Sequence, residues 1–290
     1  MDWYIYAFAS AIFWGIFLVL EKQVLKKEHS FEYSISRLFC GAILVFLLIP
    51  LISNFNIGLR LFGILYITSL LATGALLLRA KSLRFLDISV VSPFMTFSPL
   101  LVMLLAFFFL NELVTSRQML GVGIIVFGAY TIMTNGHLRR FSDPWKLILQ
   151  SRSMHYIFLA LFLLSLEALL QEYLVDGFIG PYVIIFYLWI FMFFNVLILS
   201  FVRYGGVKEI QKGIKLDGVF VIFAAAFSVM SGVFSIIAYS KGPVSLVLSI
   251  KQLGAVFATI LGGGLFHEQN QLIRIFSAII MFAGAYLILV

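Results

Sequence analysis

The sequence predicts an all-α membrane protein of ten transmembrane helices, arranged as two inverted five-helix repeats. Three observations lead there. Of the 290 residues, 62% are hydrophobic and 11% charged, and the mean hydropathy of +1.09 lies far above that of an ordinary soluble domain. The chain divides into apolar segments of roughly 20 residues, the length a helix needs to cross a hydrocarbon core of about 30 Å. The last helices of the first half recur in the second.

The segments run approximately 3–20, 33–52, 61–78, 87–110, 117–134, 155–175, 182–202, 217–239, 243–266 and 272–290. Only Met1 and Asp2 precede Trp3, so the first segment lacks the basic region of a signal peptide and is read as helix 1. Helix 4, "VSPFMTFSPLL", carries Pro93 and Pro99, which remove backbone donors and either line a cavity or kink a packed helix. Little remains between the helices, so function is expected within the bundle. The single Cys40 excludes an internal disulfide and a cysteine metal cluster. The net charge of +7 resides mostly in inter-helix loops, where anionic headgroups explain it without nucleic acid.

A common offset superposes the segment around 88–132 on 244–288. Ser89 then meets Ser245, Glu112 meets Glu268, and Gly128-Ala129-Tyr130 meets Gly284-Ala285-Tyr286. The chain therefore reads as a first repeat over 1–134, a linker over 135–154, and a second repeat over 155–290. In the linker, "SDPWKLILQ" has Asp143 as a cap, Pro144 in the first turn and Trp145 at interface depth, which predicts a short helix on the membrane surface.

Five is odd, so the second repeat enters the membrane from the opposite side, an architecture shared by many secondary transporters. The charges agree. Lys22, Lys26 and Lys27 follow helix 1, while "DGFIGP" after helix 6 has no basic residue. Arg60 alone follows helix 2, against Arg203, Lys208, Lys212 and Lys215 after helix 7. Arg79, Lys81 and Arg84 follow helix 3, against Lys241 after helix 8. Odd loops carry about fifteen basic residues and even loops and termini about three, which puts the odd loops in the cytoplasm and both termini outside.

Each repeat ends with a long helix, an acidic residue, a short polar turn and a glycine-bearing helix: "LAFFFLNELVTSRQMLGVGIIVFGAYTIM" and "LGGGLFHEQNQLIRIFSAIIMFAGAYLIL". With the opening "YIYAFASAIFWGIFLVLEK" and Arg37-x-x-x-Gly41 of helix 2, nearly the whole chain resembles the EamA-type branch of the drug/metabolite transporter superfamily. The resemblance implies a ten-helix carrier of two inverted five-helix repeats. Asn111 and His267 stand where the family usually has glycine before the acidic residue. Many members place both termini in the cytoplasm, against the charge count here.

Lys251 is the first candidate site residue, with Gln252 beside it. It lies roughly 12 Å into helix 9, where a cation costs about 2.5–3.5 kcal/mol on the lenient insertion scale and needs a partner or water. It shares a helical face with Gly254, Ala255, Ala258 and Gly262, small residues that let another helix approach. Glu167 is the other deep charge, with Gln171 one turn on. The resemblance extends to the small multidrug-resistance proteins, in which a helix 1 glutamate binds protons and cationic substrates in turn, and gives Glu167 a proton-coupling role. Trp14 stands at the matching depth of helix 1 and is placed in the cavity. A structural Glu167–Lys251 ion pair would also account for both charges. Glu112 and Glu268 are expected to fix a turn by approaching the N-terminus of the following helix. Arg37, Arg79 and the Glu21-Lys22 pair are expected to reach toward headgroups.

Enzyme signatures fail. His267-Glu268-Gln269-Asn270-Gln271 lacks the second histidine of a zinc-binding H-E-x-x-H, and Gly262-Gly263-Gly264 has no phosphate-loop lysine after it. No catalysis, cofactor or metal is expected. The partners expected are the lipid bilayer and a small-molecule substrate, with a homodimer left open. The leading expectation is a secondary transporter of a small organic metabolite in the cell membrane. An amino-acid-like zwitterion would suit Lys251 and Glu167, and export follows the family's habit. The alternatives are proton-coupled multidrug cation efflux and a non-transporting membrane sensor or assembly protein.

Overall fold

The computed structural model describes residues 2–25, 30–82, 95–133, 152–258 and 271–289, and all regular structure among them is helical. The helices are α1 (Trp3–Leu25), α2 (Ser30–Leu44, extended by a 3₁₀ segment Val45–Leu51), α3 (Leu59–Ser82), α4 (Ser98–Phe109), α5 (Ser116–Met133), α6 (Arg152–Val175), α7 (Pro181–Arg203), α8 (Val207–Tyr239), α9 (Val244–Lys251) and α10 (Gln271–Leu289). Six described helices are long and apolar enough to cross a membrane, and Ser98–Phe109, Val244–Ala258 and Ile275–Leu289 are shorter apolar helices. The predicted surface helix of the linker, Pro93 and Glu268 lie outside the described residues.

Two boundaries differ from expectation for visible reasons. α8 begins at Val207, ten residues before Asp217, where the backbone leaves helical geometry (φ −141°) and kinks. The added turns are held on α2: Lys212 bonds Glu209 at 2.8 Å and pairs with Glu32 at 3.5 Å. Helix 9 does not run through, because the α9 segment turns at Gln252–Leu253 before resuming at Gly254.

Packing joins the two halves in matched pairs. α1 packs on α8 as α6 packs on α3, α2 on α8 as α7 on α3, and α1 on α9 as α6 on α4. Three further cross-half pairs, α5 with α10, α4 with α9 and α2 with α7, map onto themselves when the halves are exchanged, while α5 also packs on α9 without a matched α4–α10 pair among the main contacts of the described residues. In α2 and α7, Phe39 meets Phe193 and Phe46 meets Phe186, so the two run antiparallel. This is the pattern a two-fold axis between the halves produces.

The repeated glycines sit at the α5–α10 seam. A Cβ at Gly284 would lie 2.7 Å from the Gly121 carbonyl oxygen, and one at Gly128 would lie 3.0 Å from that of Ser277. These two contacts exchange under the repeat offset. Thr131 and Ser277 hydroxyls close the seam at 2.6 Å. With no hydrophobic effect between helices in lipid, such close backbone approach and interhelical hydrogen bonds supply the association.

Candidate functional site

The site begins with a close approach of α1 and α9. A Cβ at Gly254 would lie 2.8 Å from Trp14 Cδ1 and 2.9 Å from the Ala11 carbonyl, and one at Gly15 would lie 2.7 Å from the Gly254 carbonyl. Glycine is therefore required on both sides. The contact lays the Trp14 indole against the break in α9, and the Lys251 ammonium stands 4.9 Å from the Trp14 ring centroid. At the break the backbone tightens: Leu253 N–H donates to Ile250 O at 2.9 Å and Ala255 N–H to Gln252 O at 3.0 Å. A short 3₁₀ stretch inside a membrane helix is a recurrent hinge and ligand-site feature.

Lys251 Nζ donates to Ser235 Oγ at 3.0 Å. Ser235 in turn lies 2.7 Å from Ser10 Oγ, which donates to the Ser231 carbonyl at 2.9 Å, while Ser231 Oγ donates back to the Ser10 carbonyl at 3.1 Å. The Tyr239 hydroxyl also faces Ser235, with Glu167 and Glu172 in electrostatic reach. Ser10, Ser231, Ser235 and Tyr239 are buried. α8 thus presents polar groups to α1 and α9 where hydrocarbon packing is otherwise continuous.

A family model described as the EamA-like transporter family matches residues 1–134 and again 152–290. The chain belongs to the EamA-like transporter family. The match comes once per half, in keeping with the paired packing. A solved crystal structure, described only as that of a protein, superposes on this EamA-like chain with a TM-score of 0.74 at 11% identity, covering 99% of this chain and 96% of its own. At that identity the likeness is one of fold. No curated protein matches the sequence.

In this EamA-like protein the predicted site residues separate into groups. Lys251, Gln252 and Trp14 come together at the α9 break. Glu167 accepts a hydrogen bond from Gln171 one turn along α6. Glu167 and Lys251 act on each other electrostatically, yet among the described residues they form no ion pair. Glu112 turns away from α5, whose N-terminus is held by its own capping box: Thr115 N–H donates to Gln118 Oε1 at 3.0 Å and Gln118 N–H to Thr115 Oγ1 at 3.2 Å. The Glu112 carboxyl instead faces Ser245 in the first turn of α9.

Arg37 departs from expectation. It is buried at 8% exposure and does not reach a headgroup. Its guanidinium donates to Ser228 Oγ at 2.9 Å and stands 5.3 Å from the Phe17 ring and 5.6 Å from the Trp189 ring. The cause is Gly41 one turn on, where the missing side chain admits Trp189 against α2. Phe17 also packs on Trp14 with centroids 4.8 Å apart, so one aromatic pair carries a cation over each ring. Arg79 pairs with Glu21 at 3.5 Å near the other end of α1 and α3.

The residues that sequence reasoning missed are serines. Ser228, Ser231 and Ser235 follow a three- and four-residue spacing along "FSVMSGVFSIIAY", one face of an otherwise apolar helix. That stripe serves both cations: Ser228 holds Arg37 and Ser235 holds Lys251. The periodicity was available in the sequence. Its partners on α1 and α9 were not.

Proposed function

We propose that this EamA-like protein is a ten-helix secondary transporter in the cell membrane. It moves an amino-acid-like zwitterion by alternating access between two inverted five-helix halves. The observation that carries the reading is Lys251. Its ammonium sits at a helix break deep in the bundle, held by a neutral hydroxyl and an aromatic face, with no carboxylate in ion-pair contact among the described residues. A desolvated cation is costly without an opposite charge, and a substrate carboxylate supplies one. Glu167, coupled to Lys251 electrostatically but not bonded to it, is the partner for the substrate ammonium. Trp14 forms the wall between, Gln252 and Gln171 offer amide contacts beside the two charges, and export follows the family's habit.

Multidrug cation efflux is disfavoured by the same residue, since an ammonium at the site repels a cationic substrate. The test is uptake by purified protein in lipid vesicles, with candidate substrates chosen by a thermal-shift screen of amino acids, nucleosides, sugars and cationic dyes. Zwitterionic amino acids should raise the melting temperature and be transported, and Lys251→Ala and Glu167→Gln should each abolish transport. Unchanged uptake by both variants would overturn the site, and stabilisation by cationic dyes alone would overturn the substrate class.

A further inference from the structure

Four buried oxygens converge without a hydrogen-bond partner at the end of the bundle where α1 begins. They are both carboxylate oxygens of Glu112, Glu172 Oε2 and Ser245 Oγ. Glu112 follows α4 in the first half; Glu172 lies in the last turn of α6 and Ser245 in the first turn of α9, both in the second half. Val244 N–H donates to Glu172 Oε1 at 3.3 Å, which fixes that carboxyl over the start of α9. The Ser245 hydroxyl, 0% exposed, and its backbone N–H face the Glu112 carboxyl without closing a hydrogen bond. The two carboxyls act on each other, with Asp176 adding to the negative field and Tyr239 of α8 facing Glu172. Among the described residues, no basic side chain is among the groups acting on either carboxyl.

The chemistry of the cluster is one-sided: carboxylate oxygens only accept, and three of the four here have no donor closing on them. The N-terminus of α9 offers roughly half a positive charge, enough to ease one carboxylate but not two. What is missing is a cation. Two carboxyls that act on each other out of water meet that need when one of them keeps its proton. We propose that Glu112, Glu172 and Ser245 form a proton-binding site that straddles the two halves. With the proton present the halves close at this end; its transfer to water leaves two carboxylates facing each other across the interface and parts them. Burial pushes the Glu112 carboxyl above the usual carboxylate range, the direction that retains a proton. The closed form accordingly loses stability as pH rises from that range through the raised value. Proton coupling then belongs to this pair, and Glu167 is left to the substrate. That assignment of roles rests on the transport reading; the proton site itself does not.

The test uses the full chain with Cys40 replaced by alanine and spin labels on cysteines at Leu113 and Phe178, exposed positions after α4 and α6 at this end. The label separation should increase as pH is raised and stay short at all pH values in Glu112→Gln and Glu172→Gln, which mimic the protonated pair. In parallel, the infrared carbonyl band of a protonated carboxyl should vanish with rising pH and be missing from both variants, while Ser245→Ala, which removes a hydroxyl that favours the charged form, should release the proton at higher pH. A separation that ignores pH, or that responds identically in the Gln variants, would overturn the site. So would a transition displaced by sodium but not by choline, because the cation would then be a metal ion. Neither readout involves substrate: a pH response in protein that transports nothing leaves this site standing and removes the transport reading, whereas transport without the response does the reverse.

Discussion

The chain turns at the same place at the start of α4 and within the α9 segment. In the first half the chain turns at Thr96–Phe97 after Met95 and resumes at Ser98; in the second it turns at Gln252–Leu253 after Lys251 and resumes at Gly254. These positions coincide under the repeat offset. The causes differ. Pro99 stands at the start of α4, where it has no N–H to give and bars a helical approach. Its counterpart Ala255 has an N–H, which turns to Gln252 O, and Gly254 yields to the backbone of α1. Two different local solutions give one turn, so the turn belongs to the scaffold. The chemistry does not: the residue before it is a methionine in one half and a lysine in the other. A near-symmetric frame able to rock between two states therefore carries its charges asymmetrically.

The sharpest way to break that comparison is to erase it. Lys251→Met gives the second half the side chain of the first, and uptake of a zwitterionic substrate by vesicles is expected to fall by at least about tenfold, since a hydrogen bond to a charged group is worth about 1.5–3 kcal/mol. The folded protein should unfold at the same or a higher temperature, because a desolvated cation has been removed. The reverse exchange, Met95→Lys, places an ammonium at the same depth with no serine stripe arranged to receive it. Its expected cost is about 2.5–3.5 kcal/mol, read as a lower melting temperature in detergent or reduced membrane insertion. Gly254→Val comes next. Its Cβ would sit 2.8 Å from Trp14 Cδ1 and 2.9 Å from the Ala11 carbonyl. Backbone cannot retreat as a side-chain tip can, so a loss of about 1–3 kcal/mol is expected in thermal unfolding.

The halves differed in how much the sequence revealed. Segment length and the common placement of Glu112 and Gly128-Ala129-Tyr130 made the repeat visible, because glycine at a seam is a demand of backbone distance that few residues meet. Lys251 and Glu167 were visible for a related reason, as charges are rare at that depth. Their distance from each other was not, since it depends on how α6 and α9 cross. Arg37 was misjudged because its burial is decided by Trp189 filling the space beside Gly41, a contact between residues far apart in the chain. Glu112 was expected at the start of the next helix, a local reading that the Thr115–Gln118 capping box pre-empts. The residue its carboxyl faces, Ser245, belongs to the other half.

That capping box gives the finest test of the comparison. Thr115 and Gln118 satisfy each other's backbone N–H at the start of α5, while the sequence has Gln271 and Arg274 at the corresponding positions, and an arginine side chain has no acceptor to offer a backbone N–H. Thr115→Ala should therefore cost about 1 kcal/mol, the usual value of a lost N-cap, measured by thermal unfolding. The loss should be local. Hydrogen exchange is expected to speed up in the first turn of α5 and to leave the Gly121–Gly284 seam protected, because that seam is held by backbone packing one turn deeper. If the seam frays as well, the cap is setting the register of α5 against α10. The small asymmetry at the start of α5 would then join the large one at Lys251 in deciding how the two halves move.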